Sequence, residues 1–138
     1  MARSEQAGPR NQDASARGQE LWRAAMRWRR QVEAELREVG LTLTQWMVLD
    51  CVQQLIQETG DAVNQSAVAQ RAELDKMTIS QVMRTLEGRG LVDRGPDPTG
   101  RAYRILVTSR GRQAVLLGQA RVEAGSVRCS ADLQRYRP

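Results

Sequence analysis

DKMTISQVMRTLEGRG, residues 75–90, is the most sharply punctuated stretch of the chain. Asp75 stands where a helix N-cap belongs, and Leu74 and Ile79 hold the N′ and N4 positions of a hydrophobic staple. Ile79, Val82, Met83 and Leu86 recur at steps of three and four and define one apolar face. Gly90 suits the left-handed position that closes a helix, with Leu91 folding back on Leu86. The spacing therefore predicts a helix over 76–89 with two unlike sides. The side opposite the apolar face carries Met77, Gln81, Arg84 and Thr85, flanked by Thr78 and Ser80. A helix that merely faces water favours Glu and Lys; this one offers amide, hydroxyl and guanidinium groups, with no acid before Glu87.

Upstream, residues 65–72 read as a short helix capped by Asn64, with Val68, Ala69 and Ala72 inward and Glu73-Leu74 as the link to the next helix. Downstream, Leu91–Arg94 and Arg101–Val107 read as two strands; in the second, Tyr103, Ile105 and Val107 alternate with Ala102, Arg104 and Leu106. The connection Gly95-Pro96-Asp97-Pro98-Thr99-Gly100 is too long for a two-residue turn and is stiffened by its prolines. Two helices joined by a short turn and followed by a two-stranded ribbon make a winged helix-turn-helix. In that motif the second helix lies in the DNA major groove, about 12 Å wide, where every base pair shows a distinct pattern of donors and acceptors. Gln81 suits adenine, Arg84 suits guanine or phosphate, and Met77 suits a thymine methyl. Lys76 and the free N–H groups of the first turn suit a phosphate. Arg101, just past the wing tip, suits the negative potential of a narrow minor groove, and a local pair with Asp97 is compatible with that role.

The flanks are helical in pattern too. Residues 1–18 lack an apolar period and are expected to be a disordered arm. Leu21, Ala25, Trp28, Val32, Leu36 and Val39 form a stripe along a helix over 19–39 that Gly40 ends; Trp22 and Met26 widen it beyond what one short domain covers. A partner chain is one explanation and an intramolecular core is the other. A further helix is expected over 44–58, with Thr44 as N-cap, and another over about 109–125 after Thr108, with Ala114, Leu117 and Arg121 on one side. The fold class is thus mainly α with a small β-hairpin wing: a DNA-binding lobe over 41–107 between helical flanks at 19–40 and 108–138, which the family resemblance given below implies are dimerisation segments.

Composition narrows the chemistry. The chain has 138 residues, a formal net charge of +5, no His and two Cys. Without His there is no zinc-protease motif and no His-based triad, and Cys51 and Cys129 are too far apart in sequence for a zinc finger. No paired-acid spacing or phosphate-binding glycine loop follows a strand, so an enzyme, a metal site and a cofactor are not expected. No stretch is long and apolar enough for a membrane span or a signal peptide, which predicts a cytoplasmic protein without membrane contact. Residues 71–107 carry a net +2 and residues 108–138 a net +4, while residues 19–70 carry −2. That excess is a mild footprint for a polyanion partner.

LTLTQWMVLD (41–50), NQSAVAQRAELDKMTISQVMRTLEGRGLVDR (64–94) and DPTGRAYRILVTSRG (97–111) together resemble the multiple-antibiotic-resistance regulator (MarR) family of bacterial winged-helix repressors. The resemblance implies a homodimer on a pseudo-palindromic operator of double-stranded DNA. It also implies release by a small, often aromatic or phenolic, effector or by Cys oxidation. By position it puts Ser80, Gln81 and Thr85 at base- and backbone-contacting sites and Arg101 at the wing tip. Thr99-Gly100 stand where the family usually has an Asp before the wing Arg, and residues 125–138 are shorter and more polar than the family's usual last helix. Effectors in the family sit between dimer body and DNA-reading lobe, for which Trp22, Met26, Trp28 and Trp46 are the local candidates; aromatics at helical spacing equally suit plain core. Cys51 falls on an apolar face, where a thiol is inert, and Cys129 is expected to be exposed among Arg128 and Arg135. The function read from the sequence is a dimeric transcriptional regulator, acting as a repressor. The alternative is a protein-interaction module that keeps the winged scaffold without binding DNA.

Overall fold

The computed structural model describes residues 9–98, 103–130 and 134. The element order is α1 (Pro9–Leu36), a short 3-10 turn (Arg37–Val39), α2 (Leu43–Thr59), α3 (Gln65–Ala72), α4 (Lys76–Gly88), β1 (Val92–Pro96), β2 (Tyr103–Val107) and α5 (Ser109–Arg128). α2, α3, α4 and the β1–β2 hairpin form one lobe, and α1 packs along α5 as a second layer.

Local chemistry sets the boundaries. α2 is capped two residues earlier than Thr44: Thr42 is its N-cap, accepting from Gln45 N, while the Gln45 side chain accepts from Thr42 N, both at 3.1 Å. This reciprocal box satisfies two orphan donors, which a lone Thr44 cap would not. Asn64 caps α3, its Oδ1 accepting from Ala67 N at 2.9 Å. The α3–α4 turn runs through Glu73 at φ 54°, an uncommon left-handed residue that is not glycine, and it lets Leu74 N reach Ala69 O at 3.1 Å. Asp75 caps α4 as expected, its Oδ1 accepting from Thr78 N at 2.8 Å. At the other end Gly90 (φ 71°) donates to Glu87 O, and Leu91 N donates to Leu86 O, both at 2.9 Å. That is the paired closure the Gly90-Leu91 reading anticipated.

The core is built from the inner faces of these elements. Leu36, Val48, Leu49, Val52, Val68, Ile79, Met83, Leu86 and Ile105 are all fully buried in one cluster. The hairpin is antiparallel, running from Val92 opposite Val107 to Pro96 opposite Tyr103. Gly95 and Pro96, expected in the loop, belong to β1; Pro96 sits on an edge, where its missing N–H costs nothing. Val63 exchanges two backbone hydrogen bonds with Ile105, at 2.8 and 3.1 Å, so the α2–α3 connector adds a third, one-residue strand to the wing.

α1 and α5 depart from expectation in three ways. Residues 9–18 are helical rather than disordered: α1 spans Pro9–Leu36 and continues from the packed segment through exposed residues. Each added residue extends an existing helix, which is far easier than nucleating one. α5 runs to Arg128, and its inward line is Gly111, Val115, Gly118 and Gly125, whereas Leu117, on the side with Ala114 and Arg121, is 52% exposed. A Cβ on Gly118 would lie 2.1 Å from the Trp46 ring, and one on Gly125 would lie 2.9 Å from Val32 Cα. Backbone here touches side chain and backbone directly, and only glycine allows it. Finally, Cys129 is buried, not exposed, because it continues this glycine-lined face toward α1. Burial removes the premise of a reactive, arginine-activated thiol.

Candidate nucleic-acid interface

α4 displays the residues that sequence placed on its outer side. Lys76, Gln81, Arg84 and Thr85 are exposed, Thr78 and Ser80 are half-buried at the edges, and Met77 is 73% exposed. Nothing in the described chain covers this face. Arg84 and Lys76 make no hydrogen bond or ion pair among the described residues, so both cations are available. Thr78 is partly committed: its hydroxyl donates to Asp75 Oδ2 at 2.7 Å, which makes it a cap partner before it is a reader. The same contacts hold the Asp75 carboxyl below its ordinary value of 3.8. Thr85 Oγ1 leans back on Gln81 O at 3.3 Å.

The one acid on the far end of α4 is neutralised. Glu87 accepts from Arg94 Nε at 2.5 Å, and Arg94 Nη1 donates to Gln65 Oε1 at 2.9 Å. The Arg94 guanidinium also lies over the Tyr103 ring, 5.5 Å from its centre. Arg94 thus joins α3, α4 and the wing at one point and keeps a carboxylate from facing a phosphate. Around it, Asn64, Gln65, Ser66, Ser80, Arg84, Arg94 and Tyr103 line a concavity of about 520 Å³ between α3, α4 and the hairpin. Sequence reasoning placed Ser80 and Arg84 here and missed the other five. Their shared signal was position: the first turn of α3 and the root of the wing. At that root Arg104 pairs with Asp61, which further fixes the hairpin to the α2–α3 connector. Arg101 and the loop around it lie outside the described residues.

The four aromatic and sulfur candidates for an effector site are dispersed. Trp46 is buried in the core and donates Nε1–H to Val115 O at 3.2 Å. Trp28 donates Nε1–H to Ser126 Oγ at 2.8 Å, tying α1 to α5. Met26 is half-buried and Trp22 is 65% exposed. Cys51 is buried, and that burial pushes its thiol pKa up, so it stays protonated. Among the described residues no group of three or more His, Cys, Asp or Glu could hold a metal ion, and no helix is long and apolar enough to cross a membrane.

Comparison with known proteins agrees with this geometry. Residues 41–101 match the model of the MarR family. A Bacillus subtilis protein, the HTH-type transcriptional regulator YdcH, is 35% identical over 78 residues, covering 56% of this chain and 52% of that protein. The match therefore spans about half of the Bacillus protein's length. The Mycobacterium tuberculosis HTH-type transcriptional repressor Rv2887 is 30% identical over 122 residues, 88% of this chain and 84% of that one. Among solved structures, a MarR-family transcriptional regulator from Rhodococcus sp. RHA1 superposes with a TM-score of 0.74 at 32% identity, covering 83% of this chain and 79% of that one. Rv2887 in complex with DNA superposes with a TM-score of 0.66 at 27% identity, covering 87% and 84%. Its complex with p-aminosalicylic acid gives 0.66 at 28%, covering 87% and 85%. With its winged lobe matched by the family and a repressor aligned along most of both chains, this polypeptide belongs to the MarR family of winged helix-turn-helix transcriptional regulators.

Proposed function

We propose that the chain is a sequence-specific, DNA-binding transcriptional repressor of the cytoplasm, acting as a homodimer on a pseudo-palindromic operator and released by a small aromatic acid. One observation carries the reading: the outer side of α4 is uncovered, carries free cations at Lys76 and Arg84, and presents no unpaired acid. Gln81 and Arg84 read base edges, Met77 meets a thymine methyl, and Ser80, Thr85 and Lys76 hold the backbone. Thr78 adds its remaining acceptor capacity, and Arg101 reaches the minor groove from the wing.

The dimer is supported by apolar surface that stays exposed among the described residues. Leu21, Trp22, Leu116, Leu117 and Val127 on α1 and α5 are all exposed. A set of this kind on two adjacent helices fits a subunit interface better than open water. Segments 19–40 and 108–138 then form the dimer body, and lobes over 41–107 read half-sites. The repressor Rv2887, solved with DNA and with p-aminosalicylic acid, supports both the nucleic-acid and the effector parts.

In-vitro selection from a random duplex pool tests this. The expected product is an inverted repeat whose half-site centres lie about one helical turn, ~34 Å, apart. Binding to it should fall steeply with salt, with a log–log slope of roughly −0.9 per neutralised phosphate. A flat slope and no enriched repeat would sink the proposal and favour the protein-interaction module.

A further inference from the structure

The underside of the hairpin changes character along its length. Residues opposite each other in an antiparallel pair share a face, so Val92 with Val107, Arg94 with Ile105 and Pro96 with Tyr103 make one side of the wing. Val92 and Ile105 belong to the buried core. Arg94, directly opposite Ile105, is the first charged residue on that side, and its side chain is only 18% exposed. One step further out, Tyr103 is 61% exposed. Arg94 therefore stands where apolar contact between wing and lobe gives out.

A single guanidinium makes three contacts there, in three directions. Nε donates at 2.5 Å to Glu87, in the last turn of α4, and Nη1 donates at 2.9 Å to Gln65, the first residue of α3. Its flat face lies 5.5 Å from the centre of the Tyr103 ring on β2. On the opposite edge the hairpin is tied to the α2–α3 connector by the Val63–Ile105 pairing and the Arg104–Asp61 ion pair. Stability alone does not call for an arginine at 94, because well-packed apolar groups often replace a buried ion pair at no cost. Lysine would supply the same charge but is a point charge that cannot donate along two edges and stack at once. What the planar fork adds is a fixed direction.

We propose that Arg94 is a positioning residue that sets the angle of the wing against α4, so that base pairs under the wing and base pairs under the reading helix are recognised in one fixed register. Its edge contacts hold both helices of the helix-turn-helix, and its face holds the outer strand of the wing. Loss of that lock leaves the wing attached through β2 and the connector but free to tilt about them. Contacts from α4 then persist while those from the wing lose their register, and specificity drops at pairs that α4 never touches. The effect on DNA rests on the repressor reading above; the locking of the hairpin does not.

The test uses the full chain, a selected operator duplex and a random duplex of the same length. Without DNA, Arg94→Lys should speed hydrogen exchange across 92–96 and 103–107, while exchange in 79–86 and the circular dichroism stay as in wild type. On the operator, one base-pair change under α4 and one under the wing should each cost wild type about tenfold. In Arg94→Lys the change under α4 should still cost about tenfold and the change under the wing less than about twofold, with affinity for the random duplex kept because the charge is kept. One base pair inserted between the two positions should weaken wild type and be tolerated by the variant. Tyr103→Leu, at an exposed position, should move both readouts the same way by a smaller factor. Unchanged exchange in the hairpin of both variants would overturn the inference, as would wild-type discrimination under the wing in Arg94→Lys. A parallel loss at both positions, or an equal weakening on every duplex, would also overturn it, because a phosphate contact or a damaged fold acts in that way. A wild-type chain that binds no duplex would sink the repressor reading, while the exchange data would still decide whether Arg94 locks the hairpin.

Discussion

α4 and α5 follow each other around the wing and are built in opposite ways. α4 turns its large apolar residues inward, where Ile79, Met83 and Leu86 are fully buried, and its polar residues outward. α5 turns Gly111, Gly118 and Gly125 inward and leaves Leu116, Leu117 and Val127 outside. The first helix is complete against its own chain and presents a polar surface, as a reader of nucleic acid requires. The second is tightly docked on α1 and Trp46 but leaves apolar surface facing out, which suits a second copy of the chain.

The comparison can be broken at several levels. The largest effect should come from emptying the inner face of α4. Leu86→Ala removes a fully buried side chain from the central cluster and should cost about 2–5 kcal/mol of unfolding free energy, read by urea denaturation. Filling the inner face of α5 should cost somewhat less. Gly118→Val drives a side chain into the Trp46 ring, for about 1–3 kcal/mol, and should also shift Trp fluorescence.

On the outer faces, stability should hold and association should change. Arg84→Ala should weaken a selected duplex by about 1–3 kcal/mol and relax sequence choice at one position, with unfolding within about 0.5 kcal/mol of wild type. Leu116→Glu should leave the lobe folded and lower the mass seen by light scattering toward that of one chain. The smallest effect concerns the α4 cap. The carboxyl of Asp75 is held below 3.8 by Thr78, so its contribution is present above that value and is lost as pH falls through the lower folded value. The melting temperature of Asp75→Asn should therefore change less than that of wild type on acidification from about pH 5 to pH 3.

α4 was legible because each of its signals is local. Asp75, Leu74, Ile79, Gly90 and Leu91 sit within one turn of the ends they govern, and the structure realises each in its expected place. The asymmetry of its two faces needed only the helical period. α5 was legible as a helix but not in its facing, because a search for apolar periodicity passes over glycine. Ala114, Leu117 and Arg121 stood out as one side, while the close approach to α1 and α2 rests on the glycine line. Residues 9–18 looked unstructured for a related reason: helix propagation from an existing segment leaves no apolar trace in the added residues. Arg94 and Tyr103 entered the candidate interface only when folding brought the wing against α3, across 29 positions in the case of Arg94 and Gln65. The outer residues of α4 stand where sequence put them, whereas of the aromatic set Trp28 and Trp46 take packing roles that only tertiary contacts reveal and Trp22 stays exposed.

The single-residue pairing of Val63 with Ile105 gives the connector between α2 and α3 an unexpected reach. It ties the hairpin's tilt to the length and stiffness of the segment 60–64, whose Asp61, Val63 and Asn64 line one cavity with Asp97, Pro98 and Tyr103. Lengthening or shortening that segment by one residue would swing the tip toward or away from α4 while leaving every side chain on both intact. Relatives of this chain could thus retune the separation between major- and minor-groove contacts through the length of this connector rather than through the reading residues of α4.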